Sequence, residues 1–138
     1  MMNEFSFTIP LPPVGKKNSQ QILINSKTHR PFISQNKRYK DYAKDAGMFI
    51  PRLDEPIDYP IIISARFYMP SKRRVDTVNL EEALWDVLVD HGFIADDCRD
   101  IIAGSDGTRT FYDKGNPRTE VYVRPLNEQD YEVWRCRE

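Results

Sequence analysis

From Tyr59 to Met69 the chain holds its longest β-forming run, and the triplet Ile61-Ile62-Ile63 lacks the in-and-out alternation of a half-exposed strand. Such a strand reads as the centre of a sheet, covered on both faces. Pro70-Ser71 ends it, and the next pattern is helical. Leu80, Ala83, Leu84, Val87 and Leu88 recur at i, i+3, i+4, i+7 and i+8. Asn79 with Glu82 has capping-box spacing, and Gly92 suits the C′ stop. A buried strand feeding an amphipathic helix predicts a mixed α/β (α+β) fold, and 138 residues fit one domain around one core.

The remaining elements attach to that unit. Phe5, Phe7 and Ile9 alternate with polar residues over 4–9, a strand ended by Leu11-Pro12-Pro13. Ile22-Leu23-Ile24 and Pro31-Phe32-Ile33 flank Asn25-Ser26-Lys27-Thr28 as a hairpin with a basic tip. Ser34 is a candidate N-cap for a helix from about Gln35 to Ile50, which Pro51 stops. A strand from about Arg99 to Phe111, interrupted at Gly104 and Gly107, precedes the turn Asp113–Pro117 and a last strand at Thr119–Val123; a hairpin is expected across that turn. A main domain is expected over 1–125. Leu126–Glu138 shows no pattern that places it in the core and reads as a tail, a short helix or a partner contact.

Charge is unevenly laid out. The formal net charge is −1, which argues against a general nucleic-acid coat but not against a nuclease. Cations concentrate in the first third, including Lys16, Lys17, Lys27 and Arg30, and again at Lys72-Arg73-Arg74. Acids crowd from Asp76 to Asp100. The picture is a basic surface around an acidic pocket. Lys27 and Arg30 could touch phosphate or simply be solvated; for Lys72, Arg73 and Arg74 phosphate binding is the better reading. No apolar run approaches the roughly 18 residues of a membrane span, and no signal peptide is visible. Cys98 and Cys136, far apart, read as reduced cytosolic thiols. There is no Gly-rich phosphate loop and hence no expected nucleotide cofactor. His29 and His91 have no serine or cysteine partner at a recognisable spacing.

Clustered carboxylates suit metal-assisted phosphodiester cleavage, where hard oxygens hold a divalent ion that activates water and offsets charge on the phosphate. Asp76 precedes the helix, and Asp96-Asp97 follow it; a crossover could bring these two ends together over one strand edge.

The pattern Asp76-x-x-Asn79-Leu80, then Ala83 and Asp86-x-Leu88, then Gly92-Phe93-x-x-Asp96-Asp97 resembles the RusA family of Holliday junction resolvases, small endonucleases of bacteria and their prophages. Ile9-Pro10-x-Pro12-Pro13 followed by a Lys/Asn-rich loop fits as well. The resemblance covers most of residues 4–125 and is strongest over 70–100. It implies a cytoplasmic homodimer, Mg²⁺ or Mn²⁺, and paired nicks placed symmetrically on branched, four-way DNA. It further implies an Asp-x-Asp before the helix, a lysine one turn into it, and an aspartate of the later pair. Asp76 and Asp97 match. Val78 stands in place of the second aspartate, and Glu82 in place of the lysine.

Two readings follow. In one, Glu82 replaces the missing carboxylate, giving Asp76, Glu82 and Asp97 as catalytic residues, with Asp96 completing a metal shell. In the other, the site is degenerate and the protein binds junctions without cutting. A phage or prophage interaction module is a third, separate possibility. Glu82 could equally be only the cap partner of Asn79, and Asp86 is expected to be structural, holding the helix against a neighbouring loop. Lys16, Lys17, Lys72, Arg73 and Arg74 are the expected phosphate contacts.

Overall fold

The computed structural model describes residues 3–16, 20–35 and 37–136. Lys17 and the Ser34 side chain lie outside the described part, and with them the expected cap of the first helix.

Strand β4 (Ile61–Met69) is the spine of the sheet, as the apolar run predicts. On one side it pairs antiparallel with β7 (Arg118–Pro125), which in turn pairs antiparallel with β1 (Phe5–Ile9). On the other side two short strands, β5 (Ile102–Gly104) and β6 (Arg109–Tyr112), both run parallel to β4. Gly107, at φ 95°, lies in the break between them, where a left-handed turn is needed that few residues other than glycine adopt. The helix α2 (Thr77–Asp90) makes the crossover that parallel pairing requires.

This topology corrects the hairpin expected across Asp113–Pro117. β6 and β7 are not partners, because β4 lies between them. The turn instead passes over the end of β4, where the Asp113 N–H donates to the Met69 carbonyl at 2.9 Å. Each edge of the apolar β4 takes a strand, so the turn joins two strands that flank it.

β4 is also not sealed on both faces. Ile61, Ile63, Ala65 and Phe67 are buried with Leu80, Leu84, Val87 and Leu88 of α2 in one core. On the opposite face only Ile62 is buried; Ser64 is half-buried and Arg66 exposed. True alternation resumes immediately after the isoleucine triplet. Phe5 and Phe7 of β1 close the core end, their rings edge-on to Phe93 at 5.3 and 5.4 Å. Gly92, at φ 73°, follows the helix as the C′ stop.

The other elements lie outside the sheet. Helix α1 (Lys37–Ala46), extended by a 3-10 turn (Gly47–Phe49), buries Tyr39, Tyr42 and Ala46. The expected hairpin forms from β2 (Gln20–Ile24) and β3 (Pro31–Gln35) as a separate two-stranded sheet. The last thirteen residues include a helix, α3 (Glu128–Arg135), capped by Asn127. Trp134 anchors it: its indole N–H donates to the Arg99 carbonyl at 3.1 Å, and the Arg99 guanidinium lies 5.1 Å from its ring.

Candidate active site

Asp76, not Asn79, caps α2. Its Oδ1 accepts from the Val78 N–H at 3.0 Å, the bond a helix N-terminus needs to satisfy an open donor. The helix therefore starts earlier than the apolar periodicity suggested, and the Asn79–Glu82 capping box does not form. Asn79 is buried inside the first turns, 2% exposed, against Gly15. Glu81 is also buried and was missed from sequence; among the described residues its Oε2 has no hydrogen-bond partner. Val78 is 56% exposed and brings no ligand atom.

Asn79, Glu82 and Asp86 follow one another at three- and four-residue steps, which puts them on one side of α2. The loop after β1 lies along that side. Gly15 touches Asn79, and the Lys16 ammonium reaches Asp86 at 2.5 Å. Asp86 thus does more than hold the helix against a loop. Its charge acts on Asp97, whose pKa is raised by what burial it has, by a hydrogen bond with Asp96, and by the charges of Asp86 and Asp96. It also adds to the rise of the Tyr39 hydroxyl, which burial first pushes up to about 12. The Asp97 N–H donates to Asp96 Oδ1 at 2.7 Å, which holds the Asp96 carboxylate against the next peptide. Lys16, Asp86, Asp96 and Asp97 form one electrostatic neighbourhood.

Asp76 does not belong to it within one chain. Thr77 Oγ1 lies 2.7 Å from Thr110 Oγ1, and Thr110 pairs with Phe67, which puts the start of α2 near the Met69 end of β4. Asp96-Asp97 follow Ile94, which bridges to Ile57 just before the Ile61 end. Fourteen helical residues, a rise of about 21 Å, run between those ends. The crossover therefore separates Asp76 from Asp97 instead of joining them. Among the described residues no three His, Cys, Asp or Glu side chains gather closely enough to enclose an ion. The donor chemistry nevertheless fits Mg²⁺, which is commonly held by one or two carboxylates, with water and substrate phosphate supplying the other oxygens.

Next to the Asp76 end, Arg73, Arg74 and Val75 line a cleft of about 240 Å³ with Pro13, Gly15 and Arg38. Lys72 points elsewhere, its ammonium 5.3 Å from the Tyr112 ring centre. Lys27 and Arg30 are exposed at the hairpin tip, where the Asn25 side chain accepts from the Lys27 and Thr28 N–H groups.

A mixed sheet with one crossover helix, carboxylates at one end and guanidinium groups at the other, is equipment for chemistry on phosphates. The profile of the endodeoxyribonuclease RusA family matches residues 10–124. The crossover junction endodeoxyribonuclease RusA of Shigella sonnei (strain Ss046) is 32% identical over 102 residues, 71% of this chain and 78% of that protein. Its counterpart in Escherichia coli (strain K12) is 32% identical over 100 residues, with the same coverage. The chain belongs to the RusA endodeoxyribonuclease family.

Proposed function

We propose that this protein is a divalent-metal-dependent endonuclease that resolves four-way DNA junctions by symmetric paired nicks, acting as a homodimer so that two sites face two strands. The observation that carries this reading is the adjacent carboxylate pair Asp96-Asp97, held together by the Asp97 N–H on Asp96 Oδ1, in a chain of the RusA family. Like charges held together are costly unless a cation relieves them. Asp96 and Asp97 would hold Mg²⁺ or Mn²⁺ together with water and a DNA phosphate, and the ion would supply water activation and charge stabilisation when bound.

The chain's own groups do the rest. Water forms the new P–O bond while one ester P–O bond breaks, leaving a phosphate monoester on one strand end and a hydroxyl on the other. With an ion bound, Asp97 would be a ligand that orients the attacking water, and the proton of that water passes to solvent. Lys16 holds Asp86 in place and offsets its charge. Glu82, half-buried on the Asp86 side of α2, is the further acid near that pair, whereas Asp76, a helix length away, acts beside the arginine cleft. Arg73 and Arg74 hold backbone phosphate, with Lys72, Lys27 and Arg30 extending the cationic surface. Junction shape, rather than base sequence, selects the substrate.

A second reading, junction binding without cleavage, is favoured by one feature: Asp76 is engaged as a helix cap while Val78 offers no ligand. Substrate selectivity tests the family function. Labelled four-way junction and linear duplex of equal length are incubated with protein and Mg²⁺ or Mn²⁺. Preferential nicking of the junction supports the enzyme; tight junction binding without nicks in either metal supports the second reading. Neither binding nor nicking rejects both.

A further inference from the structure

We propose that the cleft between α1 and the loop after β4 seats a single DNA backbone phosphodiester, and that Arg38 is its third guanidinium. This rests on the reading of the protein as a DNA-junction nuclease and adds to it a specific anchoring residue. Arg38 comes from the first turn of α1, whereas Arg73 and Arg74 come from the segment leading into α2, yet all three line the same cleft of about 240 Å³. That volume is large enough for a phosphate group.

The charge arrangement points to an anion. Among the described residues none of the three guanidinium groups is paired with a carboxylate. Arg118 shows the contrast, pinned at 3.0 Å by both Asp113 and Glu120. In a chain with 21 acidic residues against 20 Lys and Arg, three arginines sharing one unneutralised concavity is an arrangement that repels itself. A phosphodiester relieves the repulsion, and its two free oxygens match the fork of a guanidinium. The walls are stiff: Pro13 and Pro70 fix the backbone on either side, and Gly15, without a side chain, lets the ligand approach the main chain.

Position ties the cleft to the acids. Val75 lines it, and Asp76 is the next residue; Gly15 lines it, and Lys16 is the next residue, bonded to Asp86. A strand seated by its phosphate at Arg38 is therefore held where the basic loop and α2 meet. Asp45, on the next depression along α1, does not pair with Arg38.

The test uses the full chain and Arg38→Gln, with Arg38→Lys as the conservative variant. Arg38 is exposed, so both variants keep the wild-type circular dichroism and melting temperature. Affinity for a four-way junction is measured against NaCl concentration. Arg38→Gln is expected to bind about tenfold more weakly, the loss of one charge-assisted bond pair, and to lower the log–log salt slope by about 0.9, the loss of one phosphate contact. Arg38→Lys keeps the slope and recovers part of the affinity. A scan of single methylphosphonate replacements in the junction then finds a position that weakens the wild type and leaves Arg38→Gln unaffected. Wild-type slope together with a wild-type methylphosphonate profile in Arg38→Gln overturns the proposal. An independent arm titrates inorganic phosphate while the arginine Nε–Hε NMR signals are followed. Shifts at Arg38, Arg73 and Arg74 in a protein that binds no junction retain the anion seat and reject the DNA reading; no shift in any of the three rejects the seat.

Discussion

Replacing Asp76 separates a helix cap from a catalytic carboxylate, because the two roles need different parts of the side chain. The cap needs an oxygen that accepts from the Val78 N–H, now at 3.0 Å. Asparagine and serine supply one; alanine does not. Loss of an N-cap costs about 0.5–2 kcal/mol. Here the bond is exposed, so water replaces it in part, and the upper end of that range does not apply. Asp76→Ala should therefore lose about 1 kcal/mol, which lowers the melting temperature by roughly 4 °C in a chain of this size. Asp76→Asn keeps the bond and loses only the favourable interaction of its charge with the helix dipole, about 0.3–1 kcal/mol at most. Thermal unfolding by circular dichroism reads both, and nicking of a labelled junction is measured on the same samples. The expected pattern is a graded loss of stability, with Asp76→Ala lower than Asp76→Asn, and an equal loss of cleavage. Equal stability of wild type and Asp76→Ala would refute the capping role. Full cleavage by a stable Asp76→Asn would show that Asp76 is a cap and nothing more.

Gly15→Ala places a methyl group 2.5 Å from Asn79 Nδ2 and 3.2 Å from its Cγ, against a side chain that is 2% exposed and has little room to give. About 1–3 kcal/mol should be lost in chemical denaturation, and junction affinity should fall as the Lys16 loop is displaced. Val78→Asp adds an acid to the first turn of α2 at an exposed position, a helix length from Asp97; it should gain about 0.3–1 kcal/mol in thermal melts and leave the nicking rate unchanged. For Asp97, a pKa raised in the folded state means that the folded protein holds the extra proton as pH rises past 3.8, so stability falls through that window and stays lower above it. Asp97→Asn should abolish the fall, leaving a metal-free protein at least as stable as wild type at pH 7; melts between pH 3 and 7 check this, and a clear loss of stability at pH 7 contradicts it.

The parts of the fold read correctly from sequence were those set by local pattern. Leu80 to Leu88 announce α2 through periodicity alone, Gly92 marks its end, and the β2–β3 hairpin follows from two short apolar runs around a polar turn. The errors arose where a partner distant in sequence decides. The Asp113–Pro117 turn has the composition of a hairpin, and only the insertion of β4 between its flanking strands makes it a connection over a strand end. Asn79 is a good N-cap residue by type, but Asp76 is equally good, and the burial of Asn79 against Gly15 selects the earlier start. α3 has little apolar content, and its anchoring depends on Arg99 meeting Trp134.

The candidate site shows the same division. Asp96-Asp97 and the basic loop were legible as residue types, whereas the link from Lys16 through Asp86 to Asp97 joins segments seventy positions apart. Lysine and aspartate in those places carried a signal only in combination: a basic loop after the first strand, and an acid on the side of α2 that this loop covers. The separation of Asp76 from Asp97 was not legible, because it depends on α2 running back along the whole of β4.

Whether the acids around Asp97 cut DNA is decided by single-turnover nicking of a four-way junction by wild type and Asp97→Asn at matched occupancy. With Mg²⁺ or Mn²⁺ the wild type should cut symmetrically placed strand pairs, while Asp97→Asn binds the junction and leaves it intact. Undiminished cutting by Asp97→Asn, or a wild type that binds tightly and cuts in neither metal, removes Asp97 from the chemistry.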